Sequence, residues 1–218
     1  MQWPKYALRK HLMRFDPRIV IHLPLDDPNI DSTINSFISS AIISGLDVAG
    51  FVSEDPRVTF RAVEMAKNNN VDLYILPGQI YKTQDGFNVI IYNKPDKYPP
   101  NIPLKQLLLD TNKNHYLTMV YETGKQKAST LFKLGEEGIK PTFVEILNEK
   151  SYGYLFIPTN TYEVVSSGAE KSSELEISRI YSHIPRKDME TLGVIPEGHG
   201  ANYTPGYLEP KGPQEIIQ

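Results

Sequence analysis

Short β-branched runs alternate along this chain with stretches whose apolar residues recur every three or four positions, the patterns of buried strands and amphipathic helices respectively. "RIVIHL" (18–23) opens the series as a strand. "DSTINSFISSAIISG" (31–45) follows, with Ile34, Phe37, Ile38, Ala41 and Ile42 on one helical face. Asp31 or Ser32 is placed to cap that helix and Gly45 to stop it. Further strands are predicted over "DVAGFV" (47–52), "VDLYIL" (71–76), "FNVIIYN" (87–93), "HYLTMVYE" (115–122), "TFVEIL" (142–147) and "TYEVVS" (161–166). Helices are predicted over "RVTFRAVEMAKNNN", "LKQLLLDTNKN", "KQKASTLFKLGEEG" and "SSELEISRIYSHI". Strands joined by mostly helical crossovers define a parallel α/β architecture, for which a barrel and an open doubly wound sheet are equally suitable.

From Pro185 the periodicity stops. "PRKDMETLGVIPEGHGANYTPGYLEPKGPQEIIQ" is rich in Pro and Gly with isolated apolar residues, the composition of an extended arm. The expected organisation is therefore a basic N-terminal segment (1–17), a globular unit (18–184) and a C-terminal arm (185–218). An arm of this kind needs a surface to lie on, its own globular unit or a partner chain, so a protein partner reached through the arm is expected.

Composition narrows the functional classes. The 218 residues include no cysteine, which excludes a disulfide framework, a thiolate metal site and a cysteine nucleophile. The 23 basic and 26 acidic residues give a net charge of -3, against a dedicated nucleic-acid surface. A local basic patch around Arg9, Lys10 and Arg14 keeps nucleic acid as a disfavoured alternative partner. The first residues lack an apolar signal core and no run approaches 18 apolar residues, so no membrane partner and an intracellular, cytoplasmic location are expected.

Chemistry in such folds gathers where strands end and loops begin. Those ends supply His22, Pro24, Asp26 and Asp27, then Ser53, Glu54 and Asp55, then Gly78, Gln79 and Ile80. Later ends supply Tyr121 and Glu122, Asn148 and Glu149, and finally Ser166, Ser167, Gly168 and Glu170. This order of landmarks resembles the PHP (polymerase and histidinol phosphatase) family of metal-dependent phosphoesterases. "VIHLP" (20–24) stands for the family's Asp-x-His-x-His strand, and "GLDVAGFVSED" (45–55) resembles its Gly-Leu-Asp strand running into Thr-Asp-His. "LPGQIYKTQDGFNVIIY" (76–92) resembles Pro-Gly-x-Glu and the strand after it, and "VVSSGAEKSSEL" (164–175) resembles the closing Ser-Asp-Ala-His.

The resemblance covers about residues 18 to 182 and implies a distorted seven-stranded (β/α)7, TIM-like barrel. In the family, two or three metal ions on His and carboxylate ligands activate a hydroxide against a phosphate ester. That chemistry needs enough ligand charge to hold the ions and acidify water. At matching positions this chain carries Val20, Pro24, Ser53, Ile80 and Gly168, none of them a strong ligand. His22, Glu54 and Glu170 are the residual metal positions.

The leading expectation is a catalytically degenerate PHP-like barrel acting as a structural or binding subunit of a larger assembly, with no cofactor and no catalytic residue. A divergent phosphoesterase is the second reading, with a reduced Mg²⁺ or Mn²⁺ site on those three residues. An accessory subunit of a nucleic-acid-processing complex is the third. Against a metal role, His22 suits a strand end, Glu54 and Asp55 suit helix capping before Pro56, and Glu170 suits a helix start. Glu145, flanked by apolar strand neighbours, is expected to point into the barrel and to meet a basic partner.

Overall fold

The computed structural model describes residues 12–147, 153–158, 160–162, 164–166, 175–177 and 180–196. Five strands and four helices come first: β1 (Leu12–Ile21), α1 (Ile30–Ile43), β2 (Val48–Ser53), α2 (Pro56–Asn69), β3 (Tyr74–Lys82), β4 (Asn88–Tyr92), α3 (Leu104–Lys113), β5 (Thr118–Thr123) and α4 (Lys125–Glu136). There follow β6 (Phe143–Leu147), β7 (Gly153–Ile157), β8 (Asn160–Tyr162), β9 (Val164–Ser166), β10 (Leu175–Ile177), β11 (Ile180–Pro185) and α5 (Arg186–Thr191).

All these strands belong to one sheet, in the order β8-β7-β6-β5-β4-β3-β2-β1-β11-β9, with β10 on the upper edge of β1. β8 comes alongside β11, and β7 alongside β9, so the sheet curls into a nearly closed barrel. The sheet is mixed, which corrects the expectation of parallel strands throughout. β3 and β4 are an antiparallel hairpin, and β4 pairs β5 antiparallel. The reason is local. The Gln84–Asp85–Gly86 turn, closed by the Gly86 amide donating to the Thr83 carbonyl at 3.0 Å, is too short for the crossover a parallel pair requires.

The first four helices lie where their periodicity places them. Asp55 caps α2, its carboxylate accepting from the Arg57 amide at 3.0 Å, and Gly45, with φ +74°, ends α1. The helix expected over "SSELEISRIYSHI" is instead β10 and β11. Both pair antiparallel with β1, at Ile19↔Ile177 and Phe15↔Tyr181. β-branched and aromatic residues fit a pleated surface, and pairing with a central strand outweighs a helical spacing of apolar positions. β7 also adds a strand where none is predicted.

Side chains alternate across the sheet with period two. The inner face is a packed core that includes Phe15, Val48, Leu76, Met119, Phe143 and Leu155. The outer face of β1–β3 packs on α1 and α2, and that of β3–β6 on α3 and α4. Because Leu12 pairs Pro185, the chain leaves β11 at the end of the barrel where β1 begins. There α5 and the residues after it turn under the barrel, burying Met189, Val194 and Ile195 in the inner core. The first dozen residues of the expected arm thus close one end of the barrel.

Candidate functional site

Among the described residues, a group of buried charged and polar side chains meets inside the barrel, at three irregularities in the strands. Between Asp16 and Ile19, β1 advances three residues while β2 advances two, from Ala49 to Phe51. β5 makes the same extra step against β6 between Val120 and Thr123, and β11 makes it against β1 between Tyr181 and Ile184. Each is a β-bulge, which breaks the ladder and re-aims the bulged side chains.

Two backbone groups at the bulge around Pro17 bond to side chains. Proline has no amide to satisfy. The Arg18 amide donates to Asp16 Oδ1 at 3.0 Å, and the Tyr92 hydroxyl donates to the Pro17 carbonyl at 2.6 Å. Gly50 faces this bulge from β2. A Cβ there would overlap the Pro17 carbonyl oxygen and sit 2.7 Å from its carbon, so glycine is what allows the bulged backbone so close.

The β5 bulge is completed from β6. Glu122 takes a positive φ of 51°, and its amide donates to Glu145 Oε1 at 3.1 Å. The other oxygen of Glu145 accepts from the Tyr181 hydroxyl at 2.5 Å. Arg18 reaches across the barrel to the same place. Its Nη2 donates to Glu122 Oε1 at 3.2 Å, its Nη1 lies 4.0 Å from Glu145 Oε1, and its guanidinium carbon stands 4.1 Å from the Tyr121 ring centroid. Glu145 is therefore the inward-pointing acid with a basic partner that the sequence led us to expect.

Burial governs protonation here. It pushes the Asp16 carboxyl well above the usual carboxylate range, against the pull of the Arg18 amide and guanidinium, and the Glu145 charge adds to the push. Asp16 Oδ2 has no hydrogen-bond partner among the described residues, an arrangement that favours the neutral acid over a buried anion. Burial likewise raises the Tyr92 phenol well above its ordinary value, so it acts as a hydrogen-bond donor.

His22 and Glu54, two of the residues singled out for metal binding, lie elsewhere. His22 is the first residue beyond β1 and Glu54 the first beyond β2, both exposed. Register Val20↔Val52 sets these two strand ends side by side. Glu170 lies outside the described residues, as does Gly168. Among the described residues no group of three or more His, Asp or Glu side chains is placed to hold a metal ion. Asp27 accepts from the Asn29 amide at 2.8 Å, a turn role, and Asp55 caps a helix.

Sequence reasoning did not single out Arg18 or Tyr181. The available signal for Arg18 was Pro17 within an apolar strand pattern, which marks a bulge or an edge. The chain matches no family model, and no curated protein matches it.

Proposed function

We propose that this chain is a PHP-like barrel, the distorted seven-stranded type with added edge strands, in which the site has been given over to structure. On this reading it serves as a structural or binding subunit of a larger assembly. The observation that carries the reading is Arg18 inside the barrel. Its guanidinium takes the place of a cation among Glu122 and Glu145. A divalent ion needs surplus carboxylate charge and free lone pairs. Here the charge of Glu145 faces Arg18, and both its oxygens accept from protein groups. Val20, at the first motif strand, is buried in the apolar core. The residual positions His22, Glu54 and Glu170 then carry no catalytic role, and the C-terminal residues beyond Pro196 remain as the arm through which a protein partner is reached.

The test combines metal analysis of purified protein with hydrolysis of a simple aryl phosphate in Mn²⁺. Neither stoichiometric metal nor turnover is expected. Turnover abolished by His22→Ala and by Glu170→Ala would establish the reduced Mg²⁺ or Mn²⁺ phosphoesterase instead. A pull-down comparing the full chain with one ending at Pro196 tests the arm, and equal recovery of partners removes its assigned role.

A further inference from the structure

The helix α4 covers the barrel incompletely. It buries only Ala128 and Leu131, whereas α2, of similar length, buries seven residues. Between α4 and the outer face of β6 and β7 this leaves a groove of about 540 Å³. Phe132, Pro141, Ile146, Phe156 and Pro158 line it, with Glu136 and Lys140 also in its lining. Gly135 is in its lining, with open space beside it, since nothing lies within 4 Å of where its Cβ would be.

We infer that this groove seats the chain's own C-terminal segment, around Tyr207 and Leu208. Topology brings the two together. β5 and β6 run parallel to β1, so the start of β6 at Pro141, the end of β7 at Pro158 and the end of α4 all lie at the end of the barrel where β1 begins. The described chain also finishes at that end, after Val194 and Ile195 enter the core. From Pro196 to Tyr207 is 11 residues, a reach of up to about 36 Å when extended, enough to run along one face of a domain.

The chemistry is matched as well. Pro205, Pro210 and Pro213 stand in sequence among the apolar Tyr203, Tyr207 and Leu208. Extended proline-rich segments dock in apolar grooves lined by aromatic rings. Glu209 and Lys211 flank Pro210 with signs that complement Lys140 and Glu136. This seat goes beyond the assembly role and does not depend on it, because it is the position of the segment in the isolated chain, from which a partner bound through the arm would displace it.

The absence of cysteine makes a direct test simple. In the full chain, Phe132→Cys is combined with Leu208→Cys and treated at low concentration with a short bismaleimide. The control combines Leu208→Cys with Glu64→Cys on α2. Intramolecular crosslinking of the groove pair is expected to be at least about tenfold faster than the control, through a higher effective concentration. Adding Gly135→Leu, which fills the groove and favours the helix, is expected to return the rate to that of the control. Equal rates for the two pairs overturn the inference. So does a crosslinked dimer as main product, which would make a second copy the occupant. An equally fast reaction between Phe132→Cys and Trp3→Cys overturns it in favour of the N-terminal segment.

Discussion

Arg18 and Glu122 each stand on a β-bulge, and Arg18 Nη2 lies 3.2 Å from Glu122 Oε1 although β2, β3 and β4 separate their strands in the sheet. The contact therefore crosses the barrel. Arg18, Glu145 and Tyr181 are buried and Glu122 is half exposed, and together they tie β1, β5, β6 and β11.

The network makes Arg18 a stability residue. Its side chain is 6% exposed and that of Glu145 is 1% exposed. Removing one member of a buried pair strands the other's charge, at a cost of about 3–5 kcal/mol. Arg18→Met is expected to destabilise by that order in urea unfolding. Arg18→Met combined with Glu145→Met should recover part of the loss. A single-variant effect below about 1 kcal/mol, the range of surface pairs, would refute a buried role.

Tyr181→Phe isolates one bond of the network. It leaves Glu145 Oε2 without the hydroxyl that donates to it, while the ring that packs in the core remains. A hydrogen bond to a charged group is worth about 1.5–3 kcal/mol, and a loss of that size is expected, smaller than for Arg18→Met.

Gly50→Ala is expected to be much worse than its one-carbon change suggests. The added Cβ meets backbone, the Pro17 carbonyl, with no flexible side-chain end to yield. Overpacking costs about 1–3 kcal/mol in ordinary cores, and the upper end or more is expected here. Gly86→Ala is the comparison. Gly86 has φ +88° and open space around it, so backbone conformation alone penalises it. Thermal unfolding of both variants should place Gly50→Ala well below Gly86→Ala.

Asp16 gives the protein a defined pH response. Its folded-state pKa is raised by burial, so the native state holds the proton more tightly than the unfolded chain. That contribution is complete below the ordinary carboxylate value of about 3.9 and is lost as pH rises through the folded-state pKa. Asp16→Asn keeps an oxygen for the Arg18 amide and has no charge to bury. Its stability relative to the parent should therefore grow with pH above about 4, by up to about 1.4 kcal/mol per unit within the window. A constant difference from pH 4 to 8 would mean that Asp16 is ionised throughout.

Glu145 was legible in the sequence because an acid at an inward strand position between apolar neighbours must find a partner inside the barrel to be stable there. Arg18 was not, and the reason is geometric. A bulge adds one residue to a strand and reverses the parity of everything beyond it, so period-two reading starts the strand at Arg18 rather than at Leu12. The helices α1 to α4 were readable since each carries its own apolar stripe and stop signals. β10 and β11 depend on β1, a partner 154 residues or more away in the chain, as Ile21↔Leu175 shows, and no local window contains that information. The candidate metal positions were chosen from strand ends, whereas the polar groups engaged with one another lie at the bulges.

The closing end of the barrel supplies the last prediction. Composition marks residues after Pro185 as an arm, yet Met189, Val194 and Ile195 are 0%, 0% and 1% exposed. Their apolar side chains are isolated in sequence but converge in space, because the turn after α5 folds back, with the Val194 amide donating to the Met189 carbonyl at 2.9 Å. Met189→Ala and Ile195→Ala should each cost about 2–5 kcal/mol, the range for emptying a buried large aliphatic site. A chain ending at Ile184 loses all three side chains and is expected to show exposed core by dye binding, whereas a chain ending at Pro196 keeps the barrel closed. If the two truncations unfold at the same denaturant concentration as the full chain, α5 is an appendage and the barrel is sealed by its strands alone.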